Sequence, residues 1–258
     1  MRKFMRFLVR KVPRPVLIRF SYVFRWLILP FYMGNKYECP VCGKHFCNML
    51  PYGNKGEANR LCPRCLSLER HRLMWLFLQS DTNFFTEKLK VLHVAPEQPF
   101  LPRFKKLKNL DYVTGDLYSP IADVKMDVMD MPFEDNAFDV VICNHVLEHV
   151  TSDIKAMKEI WRVLNPGGWA MLQVPINYNN EKTIEDLSIT DPKERERIFG
   201  QYDHVRWHGL DYADRLHSVG FQVDENHFLK SFSPEQRDIY RFPEKETIFV
   251  ASKSRKEK

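Results

Sequence analysis

Residues 127–149 read DVMDMPFEDNAFDVVICNHVLEH, and residues 160–168 read IWRVLNPGG. Within them, Phe138–Cys143 is an apolar, β-branched run with the length of a buried strand. Thr151, Ser152 or Asp153 can cap a following helix whose apolar face is Ile154, Met157, Ile160, Trp161 and Leu164. Asn165-Pro166-Gly167-Gly168 stops that helix, and Trp169–Val174 reads as the next strand. Strand, helix, strand is the repeating unit of a parallel sheet. Working outward, Lys90–Ala95 and Asp111–Gly115 add strands before it. A helix over Leu210–Ser218, ended by Gly220, and closing strands at Phe221–Val223 and Thr247–Ala251 follow. The stretch Glu185–Arg197 reads as a lid helix with a solvated face. The fold predicted is α/β, a doubly wound sheet with helices on both faces.

The chain has 258 residues, 44% apolar and 28% charged, which excludes general disorder and a collagen-like chain. Its length suits one full domain and a smaller module. Six cysteines are too few for a disulfide scaffold, and four stand as Cys39-Pro-Val-Cys42 and Cys62-Pro-Arg-Cys65, 19 residues apart. Each pair turns tightly enough for two thiolates to reach one ion. Together, Cys39, Cys42, Cys62 and Cys65 predict a closed, structural four-thiolate zinc site. His45, Cys47 and His71 lie near enough in sequence to replace a ligand, and Cys143 reads as a small buried apolar residue. Leu66–Gln79, free of Gly and Pro, reads as a helix.

The net charge of +6 is unevenly placed. Residues 1–35 hold eight basic side chains and no acidic ones, so removing that +8 leaves the remainder at −2. The same arm is rich in bulky apolar residues, but Arg19, Arg25 and Pro30 interrupt its longest candidate span. No apolar run followed by a small-residue cleavage site reads as a secretory signal. Basic and bulky-apolar residues together suit a helix lying on an anionic membrane surface. Packing on the protein's own body and a nucleic-acid arm are the alternatives. The expected organisation is an arm (1–35), a zinc ribbon with its linking helix (36–88) and a larger domain (89–258).

From Lys90 onward the sequence resembles the class I S-adenosylmethionine-dependent methyltransferases, most specifically their type 11 subfamily. The block 127–168 carries the resemblance: an acid before Met131-Pro132-Phe133, the strand Phe138-Asp139-Val140-Val141, Leu147-Glu148-His149, and Arg162-Val163-Leu164-Asn165-Pro166-Gly167-Gly168. The resemblance implies a Rossmann-like seven-stranded sheet and S-adenosylmethionine as cofactor. Asp116, followed by Leu117, matches the acid that accepts hydrogen bonds from the ribose hydroxyls; a turn aspartate is the other reading. Asp127 matches the acid beside the adenine amine, with Val128 and Met129 as neighbours and Asp130 as runner-up; a cap or surface role is the alternative. Ligands in such sheets bind beyond the carboxyl ends of the strands, where Asn144 and His145 follow the third strand.

One departure stands out. The family's first loop is normally acid-x-Gly-x-Gly-x-Gly, whereas here it reads His93-Val94-Ala95-Pro96-Glu97-Gln98-Pro99. Ala95 is the smallest substitute, Pro96 fixes the turn, and Glu97 can take the cofactor's ammonium group. Either this loop holds the same ligand differently or the site has decayed; His93 replaces the usual strand-end acid or is simply buried. For a base, His204 in the cluster Tyr202–His208 comes first and His145 second, against the reading of solvated loop histidines. His149 reads as packing or capping.

These features predict a methyltransferase acting on a small-molecule, lipid or glycan acceptor, cytoplasmic and peripheral on the inner face of the membrane. The arrangement resembles bacterial zinc-ribbon methyltransferases of surface-glycan and lipid pathways. An RNA methyltransferase is the first alternative, against which stands the slightly acidic body. A non-catalytic zinc-ribbon scaffold is the second.

Overall fold

The computed structural model describes residues 26–53 and 56–255. The expectations for the basic arm up to Arg25, and for the last three residues, lie outside the described residues. Residues 26–32 are helical, and no described helix is long and apolar enough to cross a membrane.

The chain divides into two compact units. The described part of the first spans residues 26–81 together with 229–245. The second spans 82–228 together with 246–255. The first unit's continuous part ends at Asp81, and a late segment belongs with the cysteine module.

In the first unit, β1 (Met33–Cys39) pairs antiparallel with β2 (Lys44–Phe46), and β3 (Leu50–Tyr52) with β4 (Glu57–Leu61). Helix α1 (Glu69–Ser80) starts where His71 Nδ1 accepts from the Leu68 amide, at 2.9 Å. Arg72 on α1 is fully buried. It donates to the carbonyls of Ser67 (2.9 Å), Arg60 (3.1 Å), Tyr240 (2.6 Å) and Arg241 (2.6 Å). One side chain thus ties α1, the second cysteine knuckle and the end of the helix Pro234–Tyr240.

The second unit holds β5 (Leu89–Val94), α2 (Leu101–Phe104), β6 (Leu110–Asp116), β7 (Val124–Lys125) and β8 (Phe138–Cys143). There follow α3 (Asp153–Val163), β9 (Leu164–Met171), β10 (Ile184–Glu185), α4 (Pro192–Phe199) and β11 (Arg206–Trp207). Then come α5 (Tyr212–His217), β12 (Gln222–Asn226) and β13 (Ile248–Ser252). The seven-stranded sheet has the order β12-β13-β9-β8-β5-β6-β7. All pairs are parallel except those of β13, which runs antiparallel to both neighbours. Leu92, Val94, Val141 and Ala170 from the central strands pack with Met157 and Ile160 of α3 in one core. This is the doubly wound, Rossmann-like sheet that the sequence predicts, with β5 and β8 at its centre.

Local chemistry sets the boundaries. Ser152 caps α3 by accepting from the Lys155 amide at 3.2 Å. β9 begins at Leu164, five residues before the expected Trp169, and runs through Pro166-Gly167-Gly168. Gly167 takes φ +85°, and a Cβ on Gly168 would lie 2.7 Å from the Asp139 carbonyl. The two glycines that read as a stop instead let the strand bend and close on β8. The expected lid helix over Glu185–Arg197 is only partly helical. Ile184–Glu185 pairs with Arg206–Trp207, and α4 begins at Pro192, capped by Asp191. Proline at the first helical position needs no donor there, whereas the residue before it is pushed out of helical geometry.

Candidate active site

Strands β5, β6 and β8 end side by side. Ala95, just past β5, takes φ +50°, and His145, just past β8, takes φ +55°. Backbone strain of this kind costs of order 1–3 kcal/mol per residue and gathers at functional sites. The Ala95 amide donates to the Gly115 carbonyl at 2.8 Å, and the His145 amide to the Gln173 carbonyl at 2.7 Å. Both turns are thereby pinned to neighbouring segments of the sheet region.

A relay through buried His93 sets Glu97. Burial pushes the Tyr112 phenol pKa well up, so the phenol stays protonated and donates to His93 Nδ1 at 2.6 Å. His93 Nε2 then donates to Glu97 Oε2 at 3.2 Å, and Asn144 Nδ2 donates to the same oxygen at 3.1 Å. His93 is fully buried, and Asn144 Oδ1 is buried with no hydrogen-bond partner. Asp116 ends β6; its Oδ1 accepts from the amides of Tyr118 (2.7 Å) and Ser119 (2.5 Å). Leu117 and Tyr118 are exposed. Asp127 Oδ1 accepts from the Met129 amide at 2.8 Å, and Val128 is buried. Glu97, after β5, and Asn144, after β8, thus meet, while Asp116 ends the neighbouring strand β6 and Asp127 follows β7. A shallow depression lined by Lys88, Lys90, Lys108 and Asp111 lies at the opposite, amino ends of β5 and β6, away from these residues.

The two histidines singled out in sequence converge on a residue that sequence reasoning missed. Glu148 is almost wholly buried; its Oε1 pairs with His145 Nδ1 at 3.2 Å and lies 4.0 Å from His149 Nε2. Burial alone would raise its carboxyl pKa. The hydrogen bond from His145 leads the interactions that outweigh that and hold it down to about 2. His145 Nε2 is buried without a partner. His204 is buried, its Nδ1 donates to the Phe199 carbonyl at 3.1 Å, and burial pushes its imidazole pKa below the usual value. Its ring stands nearly perpendicular to that of His149, 4.8 Å between centroids.

Arg206 fixes the strap formed by residues 184–208 to the turn after β8. It donates to the carbonyls of Leu147 (2.5 Å), Val150 (2.6 Å) and Thr151 (3.2 Å), and to Glu185 at 3.0 Å. Asp153 accepts from His208 Nε2 at 3.2 Å and from Arg215 at 2.7 and 2.8 Å.

Comparison with known proteins places this geometry. A family profile described as "Methyltransferase domain" matches residues 81–172, from before β5 into the end of β9 and just beyond. Residues 81–172 thus resemble a methyltransferase domain. The ubiquinone/menaquinone biosynthesis C-methyltransferase UbiE of a Ruegeria species is 34% identical over 103 residues, 38% of this chain and 36% of that protein. The sterol 4-C-methyltransferase strm-1 of Caenorhabditis elegans is 49% identical over 144 residues, 56% of this chain and 37% of that protein. The chain thus spans little more than a third of the length of either relative. The crystal structure of the [4+2]-cyclase SpnF superposes with a TM-score of 0.51 at 16% identity, covering 84% of this chain and 92% of that one. That likeness concerns the fold alone.

The strand ends carry a set of hydrogen-bond acceptors that fits S-adenosylmethionine. The cofactor carries an ammonium group and two ribose hydroxyls, all hydrogen-bond donors. The orphaned acceptor Asn144 Oδ1, the Glu97 carboxylate beside it and the Asp116 carboxylate are acceptors for them.

The first unit fits zinc on its own geometry. The ligand atoms of Cys39, Cys42, Cys62 and Cys65 all lie within 4.8 Å of one another, with Cys39 Sγ to Cys65 Sγ at 3.5 Å and Cys42 Sγ to Cys62 Sγ at 3.8 Å. A tetrahedron with Zn–S bonds of 2.3 Å has edges of about 3.8 Å. The Gly43 amide donates to the Cys39 carbonyl at 2.8 Å and the Leu66 amide to the Cys62 carbonyl at 3.0 Å, closing both knuckles.

Proposed function

We propose that this chain is an S-adenosylmethionine-dependent methyltransferase of a small-molecule, lipid or glycan acceptor, working at a membrane surface with structural zinc at its four cysteines. The observation that carries the reading is the Tyr112–His93–Glu97–Asn144 relay at the end of β5, within residues matched as a methyltransferase domain. It supplies the acceptor group that the glycine-free loop needs.

When bound, S-adenosylmethionine supplies an electrophilic methyl carbon. Glu97 and Asn144 would hold the ammonium end, Asp116 would accept from the ribose hydroxyls, and Asp127 with Val128 would border the adenine. Ala95 and Pro96 shape the backbone that faces the ligand. The protein's work is orientation and, for a hydroxyl or amine acceptor, proton removal. We assign the base to His145, the second sequence candidate. Glu148 fixes its Nδ1 proton and leaves Nε2 to accept, while His204 has its Nδ1 committed to Phe199.

The membrane reading is supported by the eight basic residues before Asn35 and by the exposed apolar side chains of Trp26, Leu27, Phe31 and Met33. The relatives named for quinone and sterol substrates favour an apolar acceptor. The test is transfer of a labelled methyl group to separated lipid, polar small-molecule and RNA fractions of a bacterial extract. Label in the lipid or small-molecule fraction, abolished by Asp116→Ala, is expected. Label confined to RNA would replace the acceptor class.

A further inference from the structure

We propose that Glu148, His149 and His204 form a binding site for a divalent first-row transition-metal ion, separate from the four-cysteine cluster. One carboxylate oxygen of Glu148 and one ring nitrogen of each histidine lie within 4.8 Å of one another. Imidazole and carboxylate together are the donor set of zinc, cobalt and their neighbours rather than of calcium or magnesium.

The hydrogen bonds around the cluster give both rings the right tautomer. A carbonyl only accepts, so His204 Nδ1, 3.1 Å from the Phe199 carbonyl, carries a proton. His149 Nδ1, 3.3 Å from the Asp203 carbonyl and 3.6 Å from its carboxylate, carries one too. In the neutral ring each Nε2 is then a bare lone pair. Backbone and carboxylate partners of this kind are what orient metal-bound histidines. His149 Nε2 faces Glu148 Oε1 at 4.0 Å, so two electron-rich atoms confront each other. That pairing is favourable only with a proton or a metal ion between them. Glu148 Oε1 already holds His145, whereas Oε2 is buried with no hydrogen-bond partner. A buried carboxylate oxygen without a donor is costly, and coordination to an ion satisfies it.

Metal bonds of about 2.0–2.1 Å require donor separations of about 3.0–3.4 Å, so the cluster must contract. His149, with 32% of its side chain exposed, has room to turn inward. The bound ion would join the strap containing His204 to the turn after β8, directly beside His145.

The experiment titrates the full, zinc-loaded chain with Co2+ and reads the visible spectrum. Thiolate-bound cobalt shows an intense sulfur-to-metal charge-transfer band, and an imidazole–carboxylate site does not. The expected result is uptake of one Co2+ with ligand-field bands alone, weakened at least about tenfold by His149→Gln and by Glu148→Gln. No thiolate-free uptake by the wild-type chain overturns the proposal whatever the variants do. So does uptake that neither substitution weakens, and in that case a proton on His149 is the bridging cation. Neither readout involves S-adenosylmethionine, so this test and the methyltransferase reading fail separately.

Discussion

Ala95 and His145 hold left-handed backbone at the ends of the two central strands, and neither is glycine. The strain at Ala95 sits in left-handed backbone that glycine adopts freely, so Ala95→Gly should leave stability unchanged or raise it by up to about 1 kcal/mol. Urea unfolding measures this; a loss of more than about 1 kcal/mol would show that the alanine methyl packs rather than strains. Glu97 carries the opposite expectation. Replacing it with alanine removes a charged acceptor worth roughly 1.5–3 kcal/mol, a tenfold to hundredfold weakening of S-adenosylhomocysteine binding. Tyr112→Phe acts through His93 and should cost less, about tenfold at most. Equal losses in both variants would place the phenol itself against the ligand.

At the scale of elements, the strap and the start of α3 are held by buried charge. Burial would raise the Asp153 carboxyl pKa, but hydrogen bonds from His208 and Arg215, with the charges of Arg206 and Arg215, hold it well below the usual carboxylate range. A depressed folded-state pKa contributes stability in full above the unfolded value near 3.9, and this contribution is lost as the pH falls below it. Asp153→Asn should therefore destabilise the second unit by about 3–5 kcal/mol at neutral pH, and it should flatten the acid limb of the stability profile below about pH 4. Thermal melts across that range check both. Strand β8 and helix α3 were legible because their apolar patterns are local and strong, and Ser152 stood among the expected caps. The course of β9 was not, because its glycines serve a close approach to Asp139 that only the folded sheet creates. Glu148 was quoted within a motif yet given no role. Its partners come from the turn after β8 and from a strap that the sequence reads only in part as a lid, and only tertiary pairing brings them together.

The whole molecule comprises two units with different sources of order. The first has short strands, a buried Arg72 whose pKa burial pushes down and a cluster of cysteines that opposes that shift. Its cysteine spacing was legible because ligand geometry is a local property, whereas the return of residues 229–245 to it was not. Treating the protein with a mercurial should release one zinc ion per chain, as read by a colorimetric chelator, and Cys42→Ser should abolish that release. In pelleting with anionic vesicles, the full chain should bind and a chain lacking residues 1–35 should not, with binding falling as salt rises. The central claim is that a glycine-free first loop still holds S-adenosylmethionine through Glu97, Asn144 and Asp116. Calorimetric titration with S-adenosylhomocysteine tests it most directly. The account predicts saturable binding that Asp116→Ala abolishes in a folded protein; no heat of binding from the folded, zinc-loaded chain would contradict it and leave a scaffold with a decayed pocket.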